Sequence, residues 1–149
     1  MTKTAYKPLA LLAEDRDDLQ VMAAHFQDAV LKVRDMAYLP KAKRFALVAN
    51  RFVWEEGAKK TRGPFTRVRA GLHFDDVLGV RQKAIRQDAP SAVLSLLNIE
   101  FEETDDGAGT VTLRFAGGGA IALDVVGLSA EARDISAPWA TRNKPDHGA

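Results

Sequence analysis

Eight consecutive residues, Arg67 to Phe74 (RVRAGLHF), alternate strictly between two characters. Val68, Ala70, Leu72 and Phe74 are apolar; Arg67, Arg69, Gly71 and His73 are not. A period of two is the mark of a strand with one face on a core and the other turned away from it. A helix would scatter those four apolar side chains around its axis. A strand buried on one face belongs to an antiparallel sheet, so the rest of the chain must supply neighbours joined by short connections.

The neighbours are legible in part. Asp75-Asp76 reads as a tight turn and Val77 to Ile85 as the returning strand, making a hairpin with Arg67–Phe74. Thr110 to Ala116 and Ala120 to Val126 form a second hairpin across Gly117-Gly118-Gly119. Asn98 to Glu103 alternates, with Ile99 and Phe101 inward, and runs into the turn-forming stretch Thr104 to Gly109. Arg44 to Trp54 is β-prone but too apolar for simple alternation, which suggests a central strand covered on both faces. Leu31 to Arg34 and Met36 to Leu39 read as shorter strands, with a turn at Lys41 to Lys43 and a break at Gln87 to Ser91. Glu55 to Pro64, with glycines, a proline and several charges, reads as a loop. Ala92 to Leu97 and Gly127 to Ile135 fit helix or strand equally well.

One segment has the other period. Leu19, Met22, Ala23, Phe26 and Val30 fall on one helical stripe, and Asp15 stands where an N-cap belongs, with Asp17 and Asp18 in the favourable first turn. The expectation is therefore an α+β fold. It is mainly antiparallel β, with about seven or eight strands in a barrel- or sandwich-like arrangement and one amphipathic N-terminal helix from about Asp15 to Val30. A chain of 149 residues suits a single domain, here residues 1–139, with a polar tail over 140–149 that is expected to be disordered.

Composition narrows the chemistry. The chain has no cysteine, which removes disulfides, thiolate metal sites and cysteine nucleophiles. The apolar run Leu9 to Ala13 is too short for a signal segment, and no stretch approaches a membrane span, so a cytoplasmic protein without membrane contact is expected. The net charge of +1 conceals an uneven distribution: −2 over residues 1–31, +9 over 32–86 and −6 over 87–149. That pattern suits an anion-binding face, or two segments that neutralise each other in the fold; mixed-charge surfaces favour the second.

The strings AHFQDAVLKVRDMAYLPKAKRFALVANRFVWE, RVRAGLHFDDVLGVRQKAI and VTLRFAGGGAIALDV, with WATR near the end, resemble an uncharacterised bacterial family, domain-of-unknown-function family 2948. The resemblance spans roughly Tyr6 to Pro145. It implies a small stand-alone bacterial protein and carries over no activity and no catalytic residue.

The residues themselves offer one sharp candidate site. Arg67, Arg69 and His73 share a strand face, and Gly71 between them leaves room for a ligand or another backbone. Arg51 and Trp54, on the preceding run, are expected to join that face. Arginine beside an aromatic suits anions, nucleotides or single-stranded nucleic acid. The plainer account is a solvated sheet face whose arginines pair with Glu100, Glu102 and Asp124.

Other chemistry is weaker. His25, Asp28 and His73 are ligand types, but no metal-binding spacing accompanies them, so no metal and no cofactor are expected. No serine sits in a nucleophile elbow, and the triple glycine lacks the helix that a phosphate loop needs. The favoured reading is a non-enzymatic binding or protein-interaction module, with a protein partner or a second copy. Nucleic-acid or other anion binding through the basic middle stands second. A small enzyme using His25 or His73 as acid or base stands third.

Overall fold

A computed structural model describes residues 6–57 and 65–141 of the chain. In chain order, the apolar run near the start is a strand, β1 (Ala10–Ala13), followed by the helix α1 (Arg16–His25). Asp15 caps α1 by accepting the Asp18 N–H at 2.8 Å. The helix stops earlier than its apolar stripe suggests. Asp28 takes a left-handed φ of 64°, and the Asp28 N–H and Ala29 carbonyl then bond to Leu96, which pulls the chain into the sheet. Strand β2 (Val30–Lys32), a single 3-10 turn (Val33–Asp35) and β3 (Met36–Leu39) follow.

Strand β4 (Arg44–Phe52) alternates after all: Phe45, Leu47, Ala49 and Arg51 are buried, and the residues between them are half-buried. Trp54 lies beyond it, opening a four-residue helix α2 (Trp54–Gly57) where a loop is expected; the remainder of that loop falls outside the described residues. Strand β5 (Phe65–Phe74) shows the predicted alternation, and β6 (Val77–Lys83) follows it. Strands β7 (Val93–Asp105), β8 (Ala108–Phe115), β9 (Ala120–Val125), β10 (Ala130–Asp134) and β11 (Trp139–Thr141) complete the described chain. Both ambiguous segments thus become strands, β10 despite the helix-favouring Glu131, Ala132 and Arg133. The sheet also continues to Thr141, two residues past the expected end of the fold; the rest of the expected tail falls outside the described residues.

Among the described residues eleven strands form one open antiparallel sheet, in place of the barrel- or sandwich-like arrangement expected, in the order β1-β10-β5-β4-β2-β7-β8-β9-β6, with β11 on β5 and β3 on β4. This exceeds the seven or eight expected, because β1 and β11 are too short to show a period and β10 lies in a segment whose pattern fits helix or strand. The β8–β9 hairpin forms as expected, with Gly117 and Gly118 both at positive φ in its turn. The first predicted hairpin does not form. Strand β6 pairs with β9, while β5 pairs with β4, β10 and β11. At Asp75-Asp76 the chain crosses between halves of the sheet, fixed by bonds from the Asp75 N–H to the Ser129 carbonyl and from the Val77 N–H to the Lys43 carbonyl.

Strand β2 joins the halves, pairing Val30 with Asn50 of β4 and with Ser95 of β7. The sheet curls so that both halves and α1 share one buried cluster, with Leu19, Met22, Leu47, Leu72, Leu113 and Leu123 among its members. The other surface of β1, β10, β5 and β4 faces away from that core.

Candidate functional site

Ladder partners point to the same side of a sheet, so register maps the outer surface. One row runs Leu12, Glu131, His73, Ala46, Ala37 across β1, β10, β5, β4 and β3. The next runs Ala10, Arg133, Gly71, Val48. Beyond them lie Arg69 opposite Asn50, and then Trp139, Arg67 and Phe52. Ile135 joins this surface through its N–H, which donates to the Arg69 carbonyl at 2.8 Å.

The composition of this surface is unusual for an outward face. Solvated faces of antiparallel sheets normally carry polar side chains. Here Leu12 is 68%, Ile135 54% and Trp139 41% exposed. A hollow of about 480 Å³ lies over Gly71, walled by Ala46, Val48, His73, Glu131 and Ile135. The space above Gly71 is open: a Cβ placed there would meet only the Ile135 Cγ2, at 4.0 Å.

His73, Glu131 and Arg133 line it, and Arg69 and Arg67 stand further along the same face of β5. The His73 Nε2 lies 3.3 Å from Glu131 and its Nδ1 3.5 Å from Asp75. Glu131 also accepts from Arg133 at 2.7 Å, and the arginine holds its carboxyl below the usual range. Arg69 donates to the Asn50 side chain at 3.2 Å and stands 3.8 Å from Asp35, with 41% of its own side chain exposed. Arg67 donates to the Asn50 carbonyl at 3.1 Å and lies over the Phe52 ring, 5.9 Å from its centroid. Burial lowers the pKa of the Arg67 guanidinium, against the opposing charge of Asp28. Neither arginine pairs with the carboxylates expected for it, since Glu100 takes Arg114 and Asp124 takes Arg81.

Arg67, Arg69 and His73 share the outer face of β5 with Gly71, but of the three only His73 lines the hollow; the other three candidates lie off that strand. Arg51 stands opposite Val68, on the inner side, and is fully buried. Its guanidinium binds Asp134 at 2.8 and 2.9 Å and Glu55 at 2.9 and 3.0 Å. Trp54 donates to the Gln27 carbonyl at 2.9 Å and packs edge-on against Phe52. His25 bonds the Val21 carbonyl through Nδ1 at 2.8 Å. His25 lies near Glu55, and Asp28 near Arg67, at the Phe52 end of the β4–β5 ladder, whereas His73 sits at the Phe45 end, roughly 20 Å of strand away. A joint site of His25, Asp28 and His73 does not exist. Among the described residues no three His, Asp or Glu side chains converge as a metal site would require.

The residues missed in the sequence are Leu12, Ile135 and Trp139. Each sits in a segment too short or ambiguous to assign a face, and only their apolar character flagged them. Ser136, beside Arg69, accepts the Arg69 N–H at 3.0 Å and donates to the Ala137 carbonyl at 2.9 Å. No described helix is long and apolar enough to cross a membrane.

Fold and surface together define an α+β domain built on one open antiparallel sheet, with an apolar, arginine-bearing outer face. The chain belongs to the family described as protein of unknown function DUF2948, whose model matches residues 9–147. No curated protein and no solved structure matches it.

Proposed function

We propose that this chain is a non-catalytic protein-interaction module that binds a partner protein through the outer face of β10, β5 and β4. The observation that carries the reading is the pattern of exposed apolar side chains on this face, Leu12, Ile135 and Trp139, where a solvated sheet carries polar ones, with Ile135 walling the hollow over Gly71. The partner presents an apolar side chain to that hollow and carboxylates to Arg67 and Arg69, whose positive charge is only partly matched within the chain. The histidine is hemmed by two carboxylates, and the nearby serine hydroxyl is occupied in local bonds, which favours recognition over catalysis.

Two variants test this face. Gly71→Leu places an apolar side chain in the hollow and meets no clash at Cβ. Arg67→Ala with Arg69→Ala removes the two cations further along the strand. Proteins cross-linked to the wild-type chain in its own cells should be lost with both variants, while thermal unfolding of Gly71→Leu stays within about 3 °C of wild type. An unchanged cross-linking pattern in both variants removes this face from consideration. Retention of a single-stranded oligonucleotide, steeply weakened by salt, would replace the protein partner with nucleic acid.

A further inference from the structure

Strand β7 has two edges. One is laddered to β8 along most of its length. The other is laddered only at its start, where Val93, Leu94 and Ser95 face β2 and Leu96 bonds to Asp28 and Ala29. From Leu97 to Glu103, among the described residues, no strand pairs with this edge. Side chains meet its backbone groups instead. Arg16 Nε donates to the Phe101 carbonyl at 3.3 Å, and the Ile99 N–H turns back onto Asn98 Oδ1 at 2.8 Å. Alternate residues of an antiparallel strand turn both backbone groups to one side. Ile99, Phe101 and Glu103 therefore present a row of donors and acceptors about 14 Å long.

Helix α1 runs beside this edge in the opposite direction, with Arg16 near Phe101 and Ala24 near Leu97. Three adjoining hollows, of about 600, 300 and 300 Å³, follow the seam. Neighbours share lining residues: Arg16 and Phe101 between the first two, and Gln20, Asn98 and Ile99 between the last two. Leu19 and Ile99 form the buried floor of the seam, and Ala23, Ala24 and Leu97 supply the apolar surface. Glu14, Asp15, Asp17 and Glu103 line the largest hollow, against the single cation Arg16, which is drawn onto the Phe101 carbonyl.

A free strand edge with a helix alongside and a groove between them is the geometry of strand addition, in which backbone bonds supply affinity and side-chain hollows supply selectivity. We infer that this seam takes an extended, basic peptide segment of another protein as an added strand on Ile99 to Glu103. Its lysine or arginine side chains reach the acidic end. Arg16 and Asn98 hold the edge in the free chain and are displaced on binding. The seam is separate from the face over Gly71 and does not depend on it.

The probe is a capped ten-residue peptide alternating lysine and valine, titrated into the full chain and followed through amide NMR signals. The Phe101 and Glu103 amides should shift and gain exchange protection. N-methylation of one alternate set of probe amides should abolish binding, and methylation of the complementary set should preserve it. A glutamate-for-lysine probe should not bind. Asp17→Lys with Glu103→Lys, at unchanged circular dichroism, should weaken binding about tenfold or more. Absence of edge shifts at millimolar probe overturns the inference. So does equal binding by the two methylated probes, which would mark simple charge attraction without strand pairing.

Discussion

Arg51 places a full positive charge inside the core, and five bonds make that tolerable. Its Nε donates to Asp134, Nη2 to Asp134 and Glu55, and Nη1 to Glu55 and the Phe52 carbonyl, so every N–H of the guanidinium has an acceptor. Burial lowers the Arg51 pKa, but the two carboxylates outweigh it and raise the pKa further above its ordinary value. Asp134 also accepts the Tyr6 hydroxyl at 2.8 Å and the Leu9 N–H at 2.7 Å, so the network ties the N-terminal segment, β4, α2 and β10 together. A buried pair is weak evidence of net stabilisation, but breaking one strands its partner's charge. Arg51→Met should therefore destabilise the chain by about 3–5 kcal/mol in urea unfolding. Adding Asp134→Leu should recover part of that loss, the remainder reflecting the Tyr6 hydroxyl and Leu9 N–H that it leaves without their acceptor; an additive double variant would show that the two side chains do not act as a unit. Tyr6 gives a second readout. Burial, then its bond to Asp134, pushes the phenol up to about 12, so one of the two tyrosines should form phenolate well above the ordinary range in an absorbance titration.

At the scale of elements, periodicity and turn chemistry were readable while pairing was not. The alternation of β5, the cap of α1 and the β8–β9 hairpin are properties of consecutive residues, and the structure shows all three. The partner of β5 is not such a property. A two-residue hairpin of the favoured type needs positive φ at both central residues; of Asp75 and Asp76 only Asp76 has it, at 59°, and distant strands satisfy β5 instead. The candidate site divided along the same line. Arg67, Arg69, Gly71 and His73 shared a face because they share a strand, whereas placing Arg51 required a register between strands. Glycines give a check on the elements. A Cβ on Gly109 would run into the Glu102 carbonyl and the Phe101 ring, beside the irregularity between Glu103 and Asp105. Gly109→Ala should cost about 1–3 kcal/mol through overpacking. Gly107→Ala, in open space but at φ +86°, should cost about 1–2 kcal/mol, and Gly71→Ala close to nothing. A thermal-melt series in which Gly109→Ala costs no more than Gly71→Ala would contradict the β7–β8 geometry.

Across the whole molecule, charge is distributed unequally between the two halves of the sheet. The −6 of the last third does neutralise part of the +9 middle, through Arg51 with Asp134 and Arg81 with Asp124. The first pair is buried and the second exposed, so they respond differently to acid. Burial alone would raise the Asp134 and Glu55 carboxyls, yet bonds from Arg51 hold both below their ordinary values. A carboxyl with a depressed folded-state pKa adds stability above its unfolded value, and that stability is lost as pH falls through the folded value. Asp124 and Glu131 are depressed too, by Arg81 and Arg133, but solvent screens those exposed pairs. Acid should therefore loosen the half holding Arg51 before the β7–β8–β9 half, even though one core cluster spans both. Stepwise acidification with native-state hydrogen exchange reads this directly. Protection should fall first at β1, β10 and β4, below the ordinary carboxylate range, and later at β8 and β9. In Arg51→Met the stability difference between neutral and acid pH should shrink, since protonation then relieves stranded charge. Simultaneous loss of protection in both halves, unaltered by that substitution, would mean that the buried network does not set the acid response.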